Sequence, residues 1–494
     1  MNKFVKAPDY VTFSECLEND FKLSSSLYTK LIMKNTNAKP VSDFLLRKLS
    51  NSDLGTEIGS LSYIDKSTHY FLRTKGLQKH SFIPVITKES ALPMLPTDFV
   101  NMNLKKGDLI ISKDSNIGEI AILEKDYPNY MLSSAIYKLP VKEEWKYYLF
   151  AMIKHDIFRE QLDAIVPKGV TIRHAKTLFL KCLIPLPNKN TNEVIRYISV
   201  ITKQIVEKES LIQKRHEAIL RLIETELLEN QNDDKFRYNL PCINEVEQIG
   251  RLDTGMYSEK MKSIVHLIKN YTNGFFQIDE QLIKSGSTPK IRYVGFEKRL
   301  SNQWITPSYC SDYGTIDEYR INMQCENNIN ENSILIINRT SKGGLGEYVG
   351  ITSYFDFEKF GKGHHNQGMY RVSYLNKTKS LFILCCMNSE IYRELCSCVC
   401  VGSKMKEIKT YHIANLPFPK FPESKQKEIV KLYSNENVIY NLPEVSLENF
   451  ETIDSKFNEQ AGIYELDNSA KHLKVLLDNA IYNIVNDMDV PMIF

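Results

Sequence analysis

The stretch NEVIRYISVITKQIVEKESLIQKRHEAILRLIETELLEN, residues 192–230, decides how this chain is built. Ile198, Ile205, Ile212 and Ile219 recur every seven residues, Val194, Ile201 and Leu222 fill matching fourth positions, and no Gly or Pro interrupts. This spacing predicts one long amphipathic helix. At ~1.5 Å per residue it spans roughly 58 Å. Lys208 and Arg215 stand in the same fourth-position series, so the apolar seam is expected to loosen mid-way and drift onto Leu220, Ile223 and Leu227. A rod of that length in mid-chain predicts two units held apart by a spacer.

The chain has 494 residues, 43% hydrophobic and 25% charged, enough for ample core and for two to four domains. A formal charge of +3 is too mild to establish a polyanion partner by itself. No signal-peptide core and no run of 18 apolar residues is present, which predicts a cytoplasmic protein without a membrane segment. Ten cysteines, five of them between Cys385 and Cys400, do not form a secreted disulfide pattern.

Before the long helix, Leu109–Ser112, Glu119–Leu123 and Ser134–Leu139 read as strands, and Trp145–Ala164 reads as helix; Pro185-Leu-Pro187 closes the segment. After it, a polar connector leads into a second mixed segment that ends at Pro417, Pro419 and Pro422. Glu423–Tyr433 reads as a short helix. Tyr464–Met488, with Leu473, Leu477, Ala480, Ile484 and Met488 at helical spacing, needs an apolar partner, for which the long helix is the obvious choice. The expected layout is residues 1–187, a spacer over 188–232, residues 233–421, and a helical region over 422–494.

The flanks also repeat each other. Lys22–Tyr28 aligns with Arg251–Tyr257, Lys106–Ser112 with Glu331–Ile337, and Ile165–Thr171 with Val399–Lys404, at offsets of 229, 225 and 233 residues. Lys176-Thr177 and Lys409-Thr410 follow the last pair, and closing prolines follow both.

A basic-Leu-Asp-x-x-x-Tyr opening, a Lys-Gly-Asp-hydrophobic strand leading to a glycine loop, a Lys-Thr and hydrophobic-Pro-hydrophobic-Pro ending, and an intervening long helix together resemble the specificity subunit of type I restriction-modification systems. The resemblance covers nearly the whole chain. It departs from the family at Ser24, where the second half has Asp253, and in an insert after Tyr433. It implies an α+β fold with two target recognition domains separated by long helices in an antiparallel coiled coil. It further implies a non-catalytic chain that reads a bipartite site in double-stranded DNA. Two methyltransferase subunits would dock on it, with restriction/translocase subunits beyond them. S-adenosylmethionine, ATP and Mg would belong to those partners, and no cofactor to this chain. The recognition subunit of a type IIB-like system and a stand-alone DNA-binding regulator are the rival readings.

Reading a duplex requires cations, amides and hydroxyls presented to base edges and phosphates. The candidates in the first half are Ser112, Lys113, Asn116, Lys168, Thr171, Arg173 and Lys176. Those in the second are Arg339, Ser341, Lys342, Lys362, Asn366, Gln367, Ser403, Lys404, Lys406 and Lys409. Any one such loop is an ordinary solvated turn; their recurrence at equivalent places points to a shared task. Lys342-Gly-Gly-Leu-Gly346 lacks the phosphate-loop order. Cys396, Cys398 and Cys400 would share one face if extended, and the cysteine cluster reads as core rather than metal site. His155, His216 and His266, single on helical stretches, read as structural.

Overall fold

The computed structural model describes the chain except for residues 1–2, 19, 22–27, 167–173, 289–301, 322–326, 341–348, 374, 403–404 and 439–444. The long helix is present as Thr191–Glu229, 39 residues. By internal packing the α+β chain divides into two compact units. The first comprises Met1–Leu211, Ile439–Glu459 and Leu466–Phe494; the second comprises Ile212–Val438 and Gln460–Glu465.

In the first unit the strand Leu109–Ser112 is central, antiparallel to Ile120–Ile122 on one side and to Ile136–Leu139 on the other. All four of its residues are buried because its two faces meet different cores. Leu109 and Ile111 pack with the helices Lys146–Lys154 and Asp156–Ile165 and with Ile198, Ile201 and Ile205 of the long helix, while Ile110 packs with Leu72, Leu77 and Ala91. That is the two-residue alternation of a pleated strand. The helix predicted over Trp145–Ala164 is broken at His155, whose extended backbone ends one helix and whose Nδ1 accepts the Ile157 amide to cap the next, at 3.1 Å. Its Nε2 donates to Asp478, at 3.2 Å.

The closing helix Ile463–Val485 packs Leu473, Leu477, Ala480 and Ile484 into the same core as Val194, Ile198 and Ile201. Lys474 pairs with Glu209 at 2.6 Å and Asp487 accepts from Asn188 at 2.7 Å, so the two helices run antiparallel. Met488, expected on this apolar face, lies beyond the helix and is exposed. The helix Phe450–Gln460 runs alongside as well, and it corrects the reading of Lys208. Far from loosening the seam, Lys208 is wholly buried, with its Nζ 2.7 Å from Asp454 Oδ1 and 2.6 Å from Asn458 Oδ1. Burial lowers its pKa despite the attraction of Asp454.

The second unit repeats the first. Ser333–Ile337 is its central strand, antiparallel to Thr352–Phe355 and Met369–Ser373, and Ile283–Ser285 adds an edge. In the first unit that edge is reduced to the single bridge Leu54 to Tyr137. A second sheet recurs too: His69–Leu72 runs antiparallel to Ala91–Met94 and parallel to Tyr130–Leu132, as Asn302–Ile305 does to Arg320–Ile321 and to Gly363–His365.

The correspondence extends to single hydrogen bonds. Gly55 N donates to Ile136 O at 3.0 Å as Gly286 N does to Met369 O at 3.2 Å. A Cβ at Gly55 would lie 2.1 Å from Ser133 O, and one at Gly286 2.1 Å from Asn366 O, so no side chain fits at either place. Each unit also pairs an early strand with its closing one, Ala38–Pro40 with Leu183–Pro185 and Phe275–Phe276 with Phe418–Pro419. The second pairing is flanked by stacked rings of Phe276 and Phe418, 5.6 Å apart, and by Tyr271 against Phe421 at 5.1 Å.

The cysteines belong to packing. Lys377–Met387 and Glu390–Val399 are helices, so Cys396 and Cys400 turn inward while Cys398 is half-buried; the three do not share an extended face. Burial pushes the Cys385, Cys386 and Cys396 thiols up. Among the described residues no three His, Cys, Asp or Glu side chains are placed to hold a metal, and no helix is long and apolar enough to cross a membrane.

Candidate nucleic-acid interface

At the end of each central strand, a loop meets the segment that precedes the closing prolines. In the first unit Lys113 N donates to Ala135 O and Ala175 N to Lys113 O, both at 2.8 Å, which sets Asp114 opposite His174. In the second, Asn338 N donates to Gly368 O at 3.0 Å and Ile408 N to Asn338 O at 2.8 Å, and Arg339 stands opposite Glu407. Asp114 thus corresponds to Arg339, His174 to Glu407, Lys176 to Lys409 and Tyr137 to Tyr370, at the offsets of 225 and 233 residues found between the repeats. Directly opposed residues of an antiparallel ladder share a face.

The electrostatics of the two faces differ. Asp114 accepts from His174 Nδ1 at 2.7 Å and is 3.0 Å from Lys113 Nζ. Lys176 is exposed with a left-handed backbone, φ 47°, and makes no ion pair among the described residues. On the second face Lys409 pairs with Glu407 at 2.8 Å, and Arg339 makes no ion pair among the described residues. Burial, with Glu407 adding, raises the Tyr370 phenol, while Lys409 and Arg339 pull it down; all four groups therefore lie around one spot.

Arg251 fixes the approach to the second face. Its guanidinium grips Asp253 at 2.7 and 2.6 Å and donates to Val399 O at 2.7 Å and Cys400 O at 2.9 Å, so it closes the carbonyl end of Glu390–Val399. His412, 3.1 Å from the same guanidinium, is pushed down to about 4 by burial first and by that cation second. The basic-Leu-Asp opening therefore braces the segment that carries Lys406 and Lys409. Its first-half counterpart, Lys22, lies outside the described residues.

The structure gathers some of the expected residues and disperses others. Arg339 and Lys409 share a face, and the Asn366–Gly368 turn lies against it through Gln367 O, which accepts from Asn338 Nδ2 at 3.2 Å. Gln367 is exposed, while Asn366 Oδ1 is engaged by Gly368 N at 2.7 Å. Lys406 stands opposite Thr340, on the other side of the ladder from Arg339, where its charge acts on Cys400. Lys362 is exposed at the far end of the strand that leads to Asn366. Ser112 is buried with its hydroxyl donated to Asp114 O at 2.6 Å, and Asn116 Nδ2 is turned toward Thr74 O and Leu77 O at 3.4 Å. These two are scaffold. Lys168, Thr171, Arg173, Ser341, Lys342, Ser403 and Lys404, with the Lys342–Gly346 stretch, lie outside the described residues.

Sequence reasoning passed over Asp114, His174, Glu407 and the two tyrosines. Carrying the repeat offsets through the closing segments would have found them.

Three solved structures align along 92% of the chain. They come from type I restriction-modification systems. The S subunit from M. genitalium is 13% identical, is itself covered over 96% of its length and gives a TM-score of 0.40. The HsdS subunit from Thermoanaerobacter tengcongensis is 15% identical, covered over 97%, with a TM-score of 0.27. A structure described as the basis of complex assembly and conformational transition of the type I system is 13% identical, covered over 98%, with a TM-score of 0.28. No family model and no curated protein matches the sequence.

Proposed function

We propose that this chain is the sequence-specific DNA-recognition subunit of a type I restriction-modification complex. It has no catalytic role of its own, works in the cytoplasm, and reads a bipartite duplex with one half-site per unit. The observation that carries the reading is the duplicated face. The same two segments meet in the same register in both units, each carries a lysine and a tyrosine at equivalent positions, and the side chains between them differ. A common scaffold with differing contacts is what two different half-sites require. Two similar units also offer equivalent docking places for two methyltransferase subunits, which would hold S-adenosylmethionine, with the ATP- and Mg-dependent restriction subunits joining through them. Residues 1–187 and 233–421 would be the recognition domains, and 188–232 with 422–494 the helical frame.

Salt dependence of binding to duplex DNA tests this reading. Each cation that neutralises a phosphate contributes ~0.9 to the slope of log affinity against log salt. Arg339→Ala and Lys176→Ala, changed separately, are each expected to lower that slope by about 0.9 and to weaken binding across sequences. Unchanged slopes in both variants would return these faces to ordinary surface. Co-expression with a methyltransferase encoded beside this chain is expected to give a native mass with two copies per chain, and a mass with one copy or none would refute the docking part.

A further inference from the structure

The equivalent positions carry an acidic and a basic side chain in opposite order. Asp114 on the first segment faces His174 on the second, with side-chain exposures of 15% and 55%. At the same ladder position of the other unit, Arg339 on the first segment faces Glu407 on the second. The framework around both pairs is the same to within a few tenths of an ångström in its hydrogen bonds, so backbone geometry does not account for the exchange. Nor do shared structural bonds: Asp114 binds its partner directly at 2.7 Å, whereas Glu407 turns to Lys409 and leaves Arg339 without an ion pair among the described residues. A reversal of donor and acceptor on a conserved frame alters what each face can offer a ligand.

We infer that the pairs Asp114/His174 and Arg339/Glu407 are specificity-determining positions that make the two units select different bases at one equivalent step of their half-sites. The inference rests on the DNA-reading function proposed above. A guanidinium donates in bidentate fashion to guanine O6 and N7, while a carboxylate accepts from the cytosine amino group. Arg339 accordingly selects guanine at its step. Asp114, an acceptor in the corresponding place, selects a base that presents an amino group.

The test is selection from a randomised duplex library by the full chain in complex with its methyltransferase. The double variant Asp114→Arg with His174→Glu installs the second unit's pair in the first. It is expected to shift preference toward guanine by about tenfold to a hundredfold at one or two positions of one half-site, with the other half unchanged. The reciprocal Arg339→Asp with Glu407→His is expected to shift the other half alone. Should either double variant melt early, Asp114→Asn keeps an acceptor, adds a donor and is expected to move the same position toward adenine. Variants that bind with native affinity and select the native sequence overturn the inference. A parent complex that selects no sequence at all refutes instead the DNA-reading function itself.

Discussion

Lys208→Ala is expected to cost the first unit about 3–5 kcal/mol, measured as a lower denaturant midpoint of its unfolding transition. The reason is an uncompensated charge. Lys208 and Asp454 are both wholly inaccessible, 2.7 Å apart, with Asn458 completing the ammonium's shell and the Phe457 ring 5.0 Å from it. Removing the lysine leaves Asp454 buried without its cation. Replacing the pair together, Lys208→Met with Asp454→Leu, exchanges two desolvated charges for apolar volume and is expected to restore most of the loss or exceed it. A loss below about 1 kcal/mol for the single variant would mean that water reaches the pair. The pair also sets register, because sliding Phe450–Gln460 by one residue along the long helix would part Asp454 from Lys208.

Exchange of residues 236–421 for the equivalent segment of a relative is expected to replace one half of the methylated target and leave the other intact. Selectivity for the old half should fall by about a hundredfold or more, since each lost base pair contact costs about 1–3 kcal/mol and several change at once. The boundaries suit a cassette, as every strand of the second unit lies between Phe275 and Pro419. Contacts to the retained helical segment include Tyr271 OH to Glu226 at 2.7 Å, Gln231 to Leu267 O at 3.0 Å and the ring of His216 against Tyr313 at 5.3 Å, and a relative's segment must meet them. A methylome in which both halves change, or neither, would end the modular reading.

How much was legible follows from how local each signal is. The 39-residue helix came through to within a residue because a heptad repeats its evidence many times along one stretch. The strand Leu109–Ser112 was visible as a short apolar run between turns, and Ser333–Ile337 through the repeat that aligns Glu331–Ile337 with Lys106–Ser112. Lys208 was misread because its partner lies 246 residues away, and periodicity alone cannot distinguish a polar residue that spoils a seam from one that seals it. Asp114 and His174, 60 residues apart, meet through a ladder that has no local signature. The break at His155 was missed because a capping histidine inside an apolar helical pattern looks like one more helical residue. Gly55 and Gly286 were legible in principle, since they sit at matching places of the two repeats, but a single glycine says nothing until the repeat is aligned.

The pairing of Phe275–Phe276 with Phe418–Pro419 has a mechanical side. Whatever enters the second globule from the long helix, and whatever leaves it toward the helix Glu423–Tyr433, passes this one clasp, tightened by Phe276 on Phe418 and Tyr271 on Phe421. Tension applied along the chain between Glu229 and Glu423 is therefore borne across the clasp and short-circuited there. The sheet beyond it, with Arg339 and Glu407 at its edge, lies off the direct path between those two points. One link from the frame to that face runs through Arg251, which lies on the helix side of the clasp and holds Val399 O and Cys400 O.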